Sequence, residues 1–119
     1  MAISNIPLLT SGKLYLNTDV DETKVDVTAV STVIYELELD NTANAAAASF
    51  VKMWNTNTVT VGTTAPDDIH RIPAATKITV VYPGGTTFGT ALTIAAVTTA
   101  GTAGVTGPTS AVIVKIVYV

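Results

Sequence analysis

A chain of 119 residues with nine acidic and six basic side chains carries a formal charge of −3, and its Lys and Arg residues are scattered singly. No basic stripe exists that could release counterions from a phosphate backbone, so nucleic acid is not an expected partner. With 48% hydrophobic and 13% charged residues the chain is too apolar to stay disordered, and with no cysteine it has no disulfide, no thiolate nucleophile and few routes to structural zinc.

Residues Met1 to Ser11 contain Ile3, Ile6, Leu8 and Leu9 without a clean period, and Pro7 blocks regular pairing. Residues 1–12 therefore read as an extended apolar arm that packs along its own domain or reaches a neighbour. No positive n-region precedes a long apolar run here, and no apolar run anywhere reaches about 18 residues, so neither an export signal nor a membrane span is expected. Residues 13–119 read as a single domain. Lys13 to Asn17 is a short strand with Leu14 and Leu16 on one face and Tyr15 on the other, and Asp19 to Thr23 is a polar turn.

From Lys24 the period is two, with Val25, Val27 and Ala29 opposed to Asp26 and Thr28. Ser31 to Asp40 repeats it, placing Val33, Tyr35, Leu37 and Leu39 inward and Thr32, Glu36, Glu38 and Asp40 outward. A bulge or bend near Val30 or Ser31 reconciles the two patterns. Asp40-Asn41-Thr42 is turn chemistry. The alanines 45–48 are too few to nucleate a stable helix, so a loop is favoured over one helical turn. Ser49 to Trp54 is the next strand, with Phe50, Lys52 and Trp54 on one face and Val51 and Met53 on the other.

Val59 and Val61 form a short edge-like piece, Gly62 to Pro66 turns the chain, and strands are expected at Asp68 to Ile72 and Thr76 to Tyr82. Pro83-Gly84-Gly85 is the strongest turn signal, with a strand from Phe88 to Ala96 beyond it. Thr98 to Thr109, with its three glycines and Pro108, reads as a long exposed loop whose tip, Val105, touches a partner. Ser110 to Val119 is an almost unbroken apolar run, as in a central strand buried on both faces. About eight to ten short strands at this spacing give an all-β fold, an antiparallel β-sandwich or jelly-roll-like domain. Rich in Thr and poor in Lys and Glu, it has little of the charge that guards exposed sheet edges, so edges and flat faces are expected to be covered by other subunits.

Chemistry-bearing residues are few. His70 with Asp67 and Asp68 fits no ligand spacing, although Asp68 and His70 share a strand face. Asn17, Asp19, Asp21 and Glu22 begin like a calcium loop but lack its glycine and its final glutamate. Glu36, Glu38 and Asp40 line one strand face, where solvent or a basic patch on another subunit is the expected partner. Phe50, Trp54, Tyr82 and Phe88 are candidate sugar-stacking aromatics, with Trp54 partly exposed at a strand end. No nucleophile elbow occurs, and no catalytic residue, metal or cofactor is expected.

The segment Asn41 to Gly89 carries a further signal. An Asn-Thr start, the strand Val51-Lys52-Met53-Trp54, the V-G-T-T-x-P run at Val61 to Pro66, Ile72-Pro73 and the Pro83 to Gly89 glycine-broken strand follow in order. This pattern resembles a module of small structural proteins of tailed bacteriophages and prophages. The Asp67-Asp68 and His70 positions depart from it, being more polar. The resemblance implies a non-enzymatic β-sandwich virion component. The expected role is a head decoration or cement protein, a homotrimer on the capsid surface that binds the major capsid protein, with Ile3, Ile6, Leu8, Leu9 and Val105 as contacts. A tail or fibre component and a carbohydrate-binding module are the alternatives.

Overall fold

Eight strands pair so that the first meets the last and the pairing proceeds inward along the chain. The computed structural model describes residues 12–119, which places Ile3, Ile6, Leu8 and Leu9 outside the described residues. The strands are β1 (Lys13–Val20), β2 (Val25–Thr28), β3 (Thr32–Asp40), β4 (Ser49–Trp54), β5 (Asp68–Ile72), β6 (Lys77–Phe88), β7 (Leu92–Val97) and β8 (Val112–Tyr118). β1 pairs with β8, β2 with β7, β3 with β6 and β4 with β5, all antiparallel. That is one long hairpin doubled back on itself. Further pairing of β3 with β8 and β4 with β7 closes two four-stranded sheets, β1-β8-β3-β6 and β2-β7-β4-β5. The topology is that of an eight-stranded jelly roll.

Period-two alternation fills the space between the sheets. Ile34, Leu37, Leu39, Val112, Val114 and Ile116 from the first sheet meet Val51, Met53, Ile72, Leu92, Ile94 and Ala96 from the second. Burying each of the larger side chains contributes about 1.5–3 kcal/mol. Their β-branched shapes suit a pleated surface.

Several expectations are corrected. The inward set of β3 changes phase at Tyr35, not near Val30 or Ser31, so Thr32 and Ile34 are buried while Val33 and Tyr35 are only half-buried. The cause lies in β6, which runs through Pro83-Gly84-Gly85 instead of turning there. Glu36 pairs with Val81 and Ile34 with Thr86, so four residues of β6 bulge opposite one of β3. Gly84 and Gly85 both take positive φ, and a Cβ on Gly85 would lie 2.5 Å from Val33 Cγ1. Only glycine fits there. β7 accordingly begins at Leu92, after the chain has crossed to the other sheet.

β8 is central, as expected, but its outward residues Ile113, Lys115 and Val117 are half-buried, and it is β7 that is buried along its whole length. The segment around Val59 and Val61 is loop and turn, not strand, and residues 45–48 form a loop without a helical turn.

That loop is held by polar groups. Buried Asn41 donates from Nδ2 to Ala47 O and Pro73 O, both at 3.1 Å, and its Oδ1 accepts from Ser49 Oγ at 2.7 Å and Asn44 Nδ2 at 2.8 Å. Asn44 in turn binds the backbone N–H and C=O of Ser110, both at 2.8 Å. Two asparagines thus join the β3–β4 loop, the β5–β6 turn and the approach to β8. Asn41→Ala strands these buried partners, and the expected result is a loss of about 2–3 kcal/mol of unfolding free energy, measured by urea titration.

Candidate functional site

The outward faces of the two sheets differ in what covers them. On the second sheet, Asp26, Thr93 and Trp54 lie in one cross-strand row, Ala95 and Lys52 in the next, and Val97 and Phe50 in the third. Alternation turns this row set away from the core, yet Lys52 is 0% and Trp54 1% exposed, and Thr93, Ala95 and Val97 are buried too. Two loops form the cover. Lys52 Nζ donates to Gly104 O at 2.9 Å and Thr102 O at 3.2 Å, while Trp54 Nε1 donates to Thr64 O at 3.0 Å. The loops also meet each other, since a Cβ on Gly62 would lie 2.4 Å from Val105 Cγ1.

Burial alone lowers the affinity of Lys52 for its proton, pushing its pKa below the ordinary lysine value. The sequence places Lys52 between Phe50 and Trp54 on one strand face, which was the available sign that its stem and head belong inside. The loop after β7 is long and exposed on its outer side, as expected, with Val105 at its tip 53% exposed, while its inner side is tied down on Lys52. The Trp54 indole and Phe88 are buried, so the candidate sugar-stacking platform does not form.

The first sheet has no such cover among the described residues. Its outward rows run Leu14, Val117, Glu36, Val81 and then Leu16, Lys115, Glu38, Thr79. Leu14 is 65% and Leu16 53% exposed, and Val81 is also exposed. The β3 carboxylates form a column here, with Glu38 Oε1 at 3.5 Å from Lys115 Nζ and 3.6 Å from Lys77 Nζ. Asp40 spends its Oδ1 on Thr42, whose hydroxyl and N–H, in that order, hold the carboxyl below its usual range. A column lying along one strand does not present two carboxylates from opposite sides of a bond, as glycoside hydrolysis requires.

Asp68 and His70 do come together, with a partner that sequence spacing did not give. His70 Nε2 lies 2.9 Å from Asp68 Oδ2 and 2.8 Å from Tyr82 Oη, and Tyr82 Oη donates to Asp68 Oδ2 at 3.0 Å. Because β5 and β6 are edge strands of opposite sheets, this cluster clasps the two sheets along one side. Asp67 is drawn elsewhere, accepting the Asn55 N–H at 2.7 Å.

In the calcium-like stretch, β1 runs on to Val20, past the expected turn start at Asp19; Asn17 Oδ1 accepts the Asp19 N–H at the β1 bulge and Asp21 Oδ1 the Thr23 N–H in the bend beyond it, so these oxygens serve their own backbone. No group of three metal-ligating side chains occurs among the described residues. A shallow hollow of about 190 Å³ lies between the alanine loop, Thr98 and Pro108, and another of about 250 Å³ lies beside Asp67, Asp68 and Thr86. No helix among the described residues is long and apolar enough to cross a membrane.

Comparison with family models, with curated proteins and with solved structures found no match.

Burial, followed by the hydrogen bond to Asp68 and that carboxylate's charge, raises the pKa of the Tyr82 hydroxyl well above its ordinary value. A folded-state pKa above the unfolded one means stability that is complete below about pH 10 and lost as pH rises further, because the unfolded chain then ionises first. Tyr82→Phe is expected to lower stability at pH 7 by about 1 kcal/mol. It should also flatten the fall in thermal midpoint between about pH 9 and 11 relative to the parent, as read by circular dichroism.

Proposed function

We propose that this chain is a bacteriophage virion structural protein, a decoration (cement) protein that binds the major capsid protein on the head surface as a homotrimer. The observation that carries the reading is the one-sidedness of the domain. One outward face is covered over its central strands β4 and β7 by the chain's own loops, and the other leaves Leu14, Leu16 and Val81 exposed beside a carboxylate column. A surface of that kind suits a module that works by burial and complementarity.

Two motifs of the phage resemblance fall on the covered side, while the Pro83 to Gly89 run belongs mostly to β6 of the other sheet. Trp54 of the V-K-M-W strand bonds Thr64 of the V-G-T-T-x-P run, and Gly62 of that run receives Val105. They are scaffold residues, which fits a family that shares a frame while its contacts lie elsewhere. Jelly rolls also serve in viral capsids, a fold-level analogy that adds modest support. A shell under internal pressure gains kinetic stability from many small added contacts, each of which must break before the shell opens.

Mixing the purified chain with heads that lack it tests the reading. The expected outcome is saturable binding to heads and a higher temperature of shell rupture. Binding to isolated tails but not heads would move the protein to the tail, and binding to neither would overturn the virion reading.

A further inference from the structure

Polar atoms from three side chains meet at one point on the side of the sandwich. His70 Nε2 lies 2.8 Å from Tyr82 Oη and 2.9 Å from Asp68 Oδ2, and Tyr82 Oη lies 3.0 Å from the same carboxylate oxygen. The three contacts form a nearly equilateral triangle. Its supply of hydrogens falls short, because a phenol donates one and an imidazole places at most one on Nε2. Protonating the ring adds its second hydrogen at Nδ1, outside the triangle. Two hydrogens therefore serve three contacts, whereas a single cation held by all three atoms would satisfy every one of them.

The size of the triangle suits such an ion. Nitrogen and oxygen donors about 2.0–2.1 Å from one metal and about 90–110° apart lie roughly 2.8–3.4 Å from each other. No three carboxylate, imidazole or thiolate side chains converge among the described residues, and here a phenol oxygen stands as the third donor beside one imidazole and one carboxylate. Imidazole favours a transition ion such as Zn²⁺ or Cu²⁺ over Ca²⁺.

Strands, not loops, hold the donors in place. β5 keeps unbroken register with β4 from Asp68 to Ile72, and Tyr82 follows directly on the stretch of β6 that pairs with β3 from Lys77 to Val81. Asp68 Oδ1 accepts the Ile69 N–H at 2.9 Å, which leaves Oδ2 for the cluster; ligating carboxylates are oriented in the same way. The Asp68 side chain is 37% exposed. Beside it the hollow of about 250 Å³ lined by Asp67, Asp68 and Thr86 has room for the water molecules that complete a coordination shell.

We propose that Asp68, His70 and Tyr82 form a binding site for a divalent transition-metal ion, Zn²⁺ above all, which staples β5 of one sheet to β6 of the other. On binding, the neutral imidazole keeps its hydrogen on Nδ1 and ligates through Nε2, the carboxylate ligates through Oδ2, and the phenol passes its proton to water. One proton is released per ion. This inference is independent of the virion reading.

The chain has one histidine and no cysteine, so imidazole ligation in a tag-free chain belongs to His70. Calorimetric titration with Zn²⁺ is compared for the parent, His70→Gln, Asp68→Asn and Tyr82→Phe, each first shown to melt cooperatively without metal. The parent is expected to bind one ion, and each substitution to weaken binding at least about tenfold. A hundredfold excess of Zn²⁺ over its Kd should raise the parent's thermal midpoint by roughly 10 °C. Cu²⁺ should give the parent a visible phenolate-to-copper charge-transfer band that Tyr82→Phe lacks, a readout that needs no other variant to fold. Absence of binding, an unchanged midpoint, affinity that survives His70→Gln, or a copper complex without the phenolate band would each overturn the proposal.

Discussion

A lysine with no exposure to solvent must find acceptors for its ammonium or give up its charge, and Lys52 finds the carbonyls of Thr102 and Gly104. Among the described residues no carboxylate forms an ion pair with it. Backbone carbonyls therefore carry the whole task, and because they belong to a loop about fifty residues further on, the lysine fixes that loop against the outward face of β4. Trp54 does the same for the preceding loop through Thr64. What would be a solvent face becomes a second, thinner interior, and β4 and β7 become strands covered on both sides.

This cover decides where the molecule can meet others. With β4 and β7 of the second sheet covered by its own loops, the first sheet keeps an open face on which Leu14, Leu16 and Val81 flank a carboxylate column partly compensated by Lys77 and Lys115. The sandwich is also tied along its sides. The Asp68, His70 and Tyr82 clasp joins β5 to β6, and the Asn41 and Asn44 network joins one loop, one turn and one strand. Each device satisfies buried polar groups in place of water, so each holds one particular geometry and no other.

Much of the fold was readable because one inner face imposes a two-residue period. Leu37, Leu39, Val51 and Met53 fall on the core side as alternation requires, and the all-β sandwich follows from strand count and turn spacing. Bulges are harder. Pro83-Gly84-Gly85 has the composition of a hairpin turn, and nothing local says that the partner strand continues past it, since the reason is the close approach of Val33 and Tyr35 to Gly85. Long-range polar contacts were equally hidden. Asp68 and His70 share a face by spacing, but Tyr82 reaches them only through the stacking of two sheets, and the spacing that puts Lys52 between Phe50 and Trp54 does not say which loop supplies its acceptors. Of the residues expected to contact a partner, Val105 is exposed but rests on Gly62, and the other four lie outside the described residues.

The claim that one buried lysine closes the second sheet is tested most directly by hydrogen exchange at pH 7 on the parent chain and on Lys52→Met, which keeps the stem and removes the donors. Leaving two half-buried carbonyls without their donor costs about 1–3 kcal/mol, so amides across 98–110 should exchange at least about tenfold faster while those of β3 and β8 keep their protection. Unchanged exchange in 98–110 would show that the loop is held by other contacts and would contradict the account.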